Sequence, residues 1–228
     1  MSPFVLLLLS ILLFTAAAAG GLYLLYYVLV NFQPGTAKIE ADLKKMKAEI
    51  EPWVAELVPW QEEELELLSL NQTNKLIKKG VVTTAKGIFT SIYHEPLIAY
   101  AYKKYVSTAG TIILYARTSH HEFIYQKKKN EVRIMIDDEP VGILKQGHSL
   151  YSAQSNRLIA RLGDEADSGL LPVLVGDKEV ANLNQQVGVT PVSTRAFQLV
   201  QEKMTDKEEA VLLSLSVLNL VERELRNS

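Results

Sequence analysis

Residue types that do chemistry are thinly spread along this chain, and where they gather their spacing suits catalysis poorly. His120, His121 and Glu122 form the best metal-like group. On a strand, however, neighbouring side chains point to opposite faces, so both histidines would reach one ion only across a bulge. Asp164, Glu165 and Asp167 offer oxygens of the kind calcium takes, but their glycine-bounded loop lacks EF-hand spacing and a solvated turn is the other reading. Nucleophilic catalysis lacks a cysteine and lacks a G-x-S-x-G elbow, a pattern that Gly147-His148-Ser149 does not supply. A glycine-rich phosphate loop of Walker or dinucleotide type is also missing. The chain reads as a binding protein with no catalytic residue, no metal and no cofactor.

The lysines are the better lead. Lys127, Lys128 and Lys129 stand at an expected hairpin tip, while Lys103 and Lys104, and Lys78 and Lys79, end or precede neighbouring strands. Gathered on one rim, Lys103, Lys104, Lys127, Lys128 and Lys129 would bind anionic lipid headgroups, each contributing on the order of 1 kcal/mol near the surface. The competing reading is a set of solvated turn lysines in a chain of formal charge −2. Nucleic acid fits poorly as a partner, because the chain has neither a basic balance nor interleaved basic and aromatic stretches.

What these lysines meet depends on residues 3–30, which run through Leu, Val, Ile, Phe, Ala and Tyr without a charged side chain. A hydrocarbon core about 30 Å thick needs roughly 20 apolar residues of helix, so this run predicts a tilted single-pass anchor within residues 1–33. A cleaved signal peptide is the alternative, since residues 16–20 are small. A signal has a basic start and a shorter apolar stretch, whereas here residues 1–3 carry no basic side chain and residues 22–30 stay apolar. Lys38, Lys44, Lys45 and Lys47 follow the span closely, which predicts a cytoplasmic C-terminal bulk. The sequon Asn71-Gln72-Thr73 points the other way. Small residues four apart, Ala16 with Gly20 and Ala17 with Gly21, would let a second helix approach, or simply face lipid.

Residues 34–70 read as a helical stalk. Ile39, Leu43, Met46, Ile50, Trp53, Leu57, Trp60 and Leu67 follow an alternating four- and three-residue spacing, with Glu64 at the one position that is not apolar. Pro52 and Pro59 interrupt the stripe, which predicts a helix over about 36–50 and then one or two short helices beginning at the prolines. The stripe has three possible destinations: the downstream domain, a partner that docks on Trp53 and Trp60, or the lipid interface. Glu62, Glu63, Glu64 and Glu66 read as a solvated acidic face.

From about Asn71 the pattern becomes short β-branched and aromatic runs between turn formers. Val132, Ile134 and Ile136 alternate with Arg133, Met135 and Asp137; Ile98, Tyr100 and Tyr102 alternate with Ala99, Ala101 and Lys103. Period two means half-buried strands, and short connections mean antiparallel pairing in a sheet that closes on itself. Thr205-Asp206-Lys207-Glu208 is a capping box. The helix it opens is apolar almost all round from 210 to 221, too short to span a bilayer, and so must be buried on every side. It predicts a central helix over 206–226, with Glu222, Arg223, Glu224 and Arg226 emerging into water. The fold class is mainly β with α: a transmembrane helix, a helical stalk, and over 71–228 a closed antiparallel β-barrel of about twelve strands around the buried C-terminal helix.

This order of elements, with segments such as Glu139-Pro140-Val141-Gly142 and Asn156-Arg157-Leu158-Ile159-Ala160 and the terminal helix, resembles the tubby C-terminal-like superfamily, which includes the phospholipid scramblase and LURP-one groups. The resemblance covers roughly residues 71–227 and rests on no specific motif. A separate N-terminal anchor departs from the scramblase group, and no acidic loop here matches that group's calcium site. The resemblance implies a binding barrel, for phosphoinositides in tubby-like members, more than a catalyst, although activity does not transfer with fold. Two functions follow: a membrane-anchored module that binds anionic membrane lipid or a hydrophobic ligand, or an accessory subunit that docks on a membrane protein complex through the span and stalk.

Overall fold

A computed structural model of the chain describes residues 3–32, 34–60, 62–164, 169–185, 195–199, 201 and 203–227. Helix α1 (Pro3–Asn31) has 29 residues, and its side chains are exposed as far as residue 27. At 1.5 Å per residue it is about 43 Å long, enough to cross a bilayer with tilt. Its most apolar 18-residue window has mean hydropathy 2.4 with none of it buried, a test that a signal sequence near the N-terminus also passes. Inside it the Ser10 hydroxyl donates to the Leu7 carbonyl (2.8 Å) and the Thr15 hydroxyl to that of Ile11 (3.0 Å). Polar groups in hydrocarbon must be satisfied within the helix, and these are.

Helix α2 (Thr36–Val54) follows after Gly35, whose carbonyl accepts the Ile39 N–H (3.1 Å). It runs through Pro52 instead of restarting there. So near the C-terminal end the proline forfeits one i→i−4 bond and leaves almost no helix to kink. Nor does a helix begin at Pro59; a short 3₁₀ turn, Glu62–Leu67, comes next.

The strands are β1 (Leu68–Lys78), β2 (Thr83–Ser91), β3 (Pro96–Lys104), β4 (Ile112–Arg117), β5 (Glu122–Lys128), β6 (Glu131–Ile136), β7 (Glu139–Lys145), β8 (Ser149–Ser152), β9 (Leu158–Leu162), β10 (Leu170–Val175), β11 (Lys178–Asn184) and β12 (Phe197–Leu199). They pair in sequence order, every neighbour antiparallel, as one 12-stranded sheet that curls until its ends meet. At the seam Ser69 bridges Arg195, and the Ala196 N–H donates to the Leu68 carbonyl (2.7 Å). Glu66 completes the closure: one carboxylate oxygen accepts the Leu199 N–H (3.0 Å) and the other the Arg195 guanidinium (3.3 Å). That residue therefore works in the seam, not in a solvated acidic face. Gly142 has a local reason as well, because a Cβ there would lie 2.2 Å from the Tyr151 carbonyl oxygen on the paired strand.

Period two sorts the sheet as its sequence predicts. Ile98, Tyr100, Phe123, Tyr125, Val132 and Ile134 point inward onto helix α3 (Asp206–Asn227), which threads the interior. Its capping box forms: the Glu208 N–H donates to the Thr205 hydroxyl (3.3 Å) and the Thr205 N–H to the Glu208 carboxylate (2.8 Å). Residues 211–218 are all buried, and the two serines among them, Ser214 and Ser216, bond back to the carbonyls of Val211 and Leu212. Tyr125 turns its hydroxyl onto the Ser214 carbonyl (2.8 Å), tying sheet to helix.

The outer face of β2–β5 is also apolar, which strict alternation does not require. Ile88, Ala99, Ala101, Ile113, Tyr115 and Ile124 form a second core with Met46, Ile50 and Leu57. Helix α2 thus lies on the barrel wall, and the stripe of the predicted stalk is used by the chain's own domain. Fully burying a side chain such as Ile50 contributes roughly 1.5–3 kcal/mol. Trp60, with Leu65 and Leu68, belongs to the interior core, so the barrel fold begins before residue 71.

Candidate functional site

Where α1 ends, the backbone of Phe32 makes a parallel bridge with Val106, in the loop between β3 and β4. That loop is braced internally: the Tyr105 N–H donates to the Thr111 carbonyl (3.0 Å), and the Ser107 and Thr111 hydroxyls lie 3.2 Å apart. The β5–β6 hairpin is fastened to it by the Lys129 N–H donating to the Ala109 carbonyl (2.6 Å). The end of the membrane-length helix, the β3–β4 loop and the lysine hairpin are therefore one hydrogen-bonded unit. Between them, bounded by the start of α2 at Thr36 and Ile39, opens a groove of about 790 Å³. Lys127, Lys128, Lys129 and Arg133 line it, opposed by the single carboxylate of Glu131.

The five rim lysines have different fates. Lys104, Ile112 and Lys127 stand in one row across β3, β4 and β5. Lys103 points outward and is taken by α2, its ammonium 2.7 Å from the Asp42 carboxylate, with a side chain only 16% exposed. Lys127 follows the inward alternation of Phe123 and Tyr125 and pairs with Glu222 of α3 (2.5 Å). Lys104, Lys128 and Lys129 are exposed and have no ion pair among the described residues. Lys129 has φ +57°, a left-handed conformation disfavoured for any residue with a Cβ. Lys78 and Lys79 are exposed at the end of β1, outside the groove.

Two polar clamps hold α2 in place. Asp42, 6% exposed, accepts hydrogen bonds from Lys103, from the Tyr105 hydroxyl (2.7 Å) and from Lys38 (3.1 Å). Burial works against its charge, but these three donors outweigh burial and hold the carboxyl below its ordinary value. The second clamp is Glu122, which pairs with Lys47 of α2 and Arg117 (3.0 Å) and accepts the Tyr115 hydroxyl (3.1 Å). This disperses the metal-like sequence cluster. Glu122 turns to α2, His121 hydrogen-bonds Asp137 (2.8 Å), and His120 is exposed. Among the described residues no group of three or more His, Cys, Asp or Glu could hold a metal ion. Asp164 is exposed; Glu165 and Asp167 lie outside the described residues.

Among the partner-docking candidates, Trp60 is buried, and Trp53 is half-buried on the barrel wall with the Lys86 ammonium 5.2 Å from its ring. Ala16 and Gly20 remain open on α1, where a Cβ on Gly20 would meet nothing within 4 Å. At its C-terminal end α3 does not simply emerge into water: Glu222 pairs with Lys127, Glu224 with Lys75, and Arg223 donates to the Asn184 carbonyl. Asp42 was the residue sequence reasoning missed. Its signal was a charge on the edge of the apolar stripe, three residues after Ile39 and four before Met46.

Comparison with protein-family models, with curated proteins and with solved structures found no match for this chain.

Proposed function

We propose that the protein is a single-pass membrane-anchored binding module, not a catalyst, which recognises anionic lipid headgroups with the basic groove beside its anchor. The observation that carries this reading is the joint between Phe32 and the β3–β4 loop, because it ties the lysine hairpin to the end of the only membrane-length helix among the described residues. A groove so tethered would meet the headgroup layer without any further docking step. Lys128 and Lys129 in the groove, with Lys104 on the same rim, have no ion pair among the described residues and are the charges free to act there, each contributing about 1 kcal/mol. The basic residues following α1 favour a cytoplasmic barrel, the side on which anionic lipid is concentrated. The tubby-like resemblance belongs to this reading: twelve strands in sequence order around a buried helix are compatible with it. The accessory-subunit reading keeps only the small-residue face of α1, since the tryptophan stripe is engaged within the chain.

The test is hydrogen exchange on the full chain in nanodiscs of phosphatidylcholine, with and without phosphatidylserine. Protection of residues 104–111 and 126–131 should appear only with the anionic lipid, fade with salt, and be lost in Lys104→Gln, Lys128→Gln, Lys129→Gln. Equal exchange in both lipids would end the headgroup reading.

A further inference from the structure

Inside the rim, between α3 and strands β6 to β9, lies a second cavity of about 310 Å³ that the headgroup groove does not include. Five apolar side chains, Val132, Leu144 and Leu162 from the strands and Leu215 and Leu218 from α3, share its lining with five polar ones. This volume is at the lower end of small-ligand sites. The Lys127–Glu222 ion pair belongs to that lining. Lys127 lines both this cavity and the outer groove. Both members of the pair are 29% exposed, so a competing anion can reach them.

We propose that this mouth cavity takes the single hydrocarbon chain of an anionic amphiphile of the fatty-acid type, whose carboxylate replaces Glu222 as the partner of Lys127. The Glu222 carboxylate already shows that such a group fits against this ammonium: it sits 2.5 Å away, on a side chain of α3 that borders the cavity. A chain reaching inward from that point runs along Leu218 and Leu215 on one side and Val132 and Leu144 on the other. The five apolar side chains bind the chain without selecting its length, and the Lys127 cation selects its charge. The site rests on the reading above in one respect, that this rim meets the membrane from which an amphiphile would enter. Binding would also free Glu222 and loosen the tie between α3 and the β5–β6 hairpin, so the inner site and the outer groove would be coupled through Lys127.

The experiment uses the full chain in phosphatidylcholine nanodiscs and a dodecanoate carrying a diazirine near its methyl end, with the corresponding methyl ester as the uncharged probe. Photolabelling followed by peptide mass spectrometry should place the carboxylate probe on residues 215–218, 144 or 162. The ester should label these positions about tenfold less, the loss expected for a hydrogen bond to a charged group. Leu218→Trp, which fills the cavity, should abolish that label, and Glu222→Gln, which removes the internal competitor and lies at the rim, should strengthen it. Labelling confined to α1, equal labelling by the ester, or no gain in Glu222→Gln would overturn the proposal. Phosphatidylserine-dependent protection of the hairpin reports the outer groove separately. If it persists while the mouth label is absent, the inner site alone has failed.

Discussion

Replacing Asp42 with Asn should be among the most damaging single changes on the surface of α2, although it alters no shape. Asp42 is 6% exposed and accepts from three donors, two of them at 2.7 Å, and its partner Lys103 is 16% exposed. The amide keeps the volume but removes the charge that compensates Lys103. Breaking a buried pair by removing one partner costs about 3–5 kcal/mol, against total stabilities of about 5–15 kcal/mol. Asp42→Leu with Lys103→Met and Tyr105→Phe, which removes both charges and the buried hydroxyl that donates to Asp42, should recover most of that loss. The readout is urea unfolding of the full chain followed by tryptophan fluorescence, well placed because Trp53 packs in the contact between α2 and the barrel wall and Trp60 in the barrel interior. The same carboxyl fixes a pH dependence. Its native value lies below its ordinary 3.8, so its contribution is complete above 3.8 and disappears as pH falls through the lower native value. The wild type should therefore lose stability in that acid window, and Asp42→Asn should lose less of it there. A single-mutant cost under about 1 kcal/mol would show that the clamp does not hold α2 and that apolar packing suffices, and a combined variant no better than the single would show that the loss does not come from an uncompensated Lys103 charge.

Two further outcomes follow from the same structure. A fragment of residues 71–228 lacks α2, Trp60, Leu65 and the Glu66 seam, and exposes the apolar outer face of β2–β5; it should aggregate where a fragment of residues 34–228 stays soluble, and sedimentation that found the shorter fragment monodisperse with a cooperative unfolding transition would contradict this. Lys129→Gly relieves a φ of +57° and should stabilise the barrel by up to about 1 kcal/mol in thermal unfolding while reducing phosphatidylserine-dependent protection of the hairpin; a destabilised variant would mean that the lysine's role is structural.

Local pattern carried much of the architecture. Uninterrupted apolar character marks α1, period two marks the strands, and Thr205 with Glu208 announces α3, because each of these depends only on residues within a turn or two of one another. Three features were decided by tertiary structure. The stripe of α2 suits a barrel wall, a partner or a lipid interface equally well, since any apolar surface satisfies it; only the unexpectedly apolar outer face of β2–β5 chose among them. Which lysines stay free was not legible either. Asp42 takes Lys103 from 61 residues away and Glu222 takes Lys127 from 95 residues away, and no local spacing records such partners. Last is the alignment of Lys127, Lys128 and Lys129 with the end of α1. It arises from backbone hydrogen bonds through Val106 and Ala109, and because backbone groups are common to nearly every residue, side-chain types do not encode that contact.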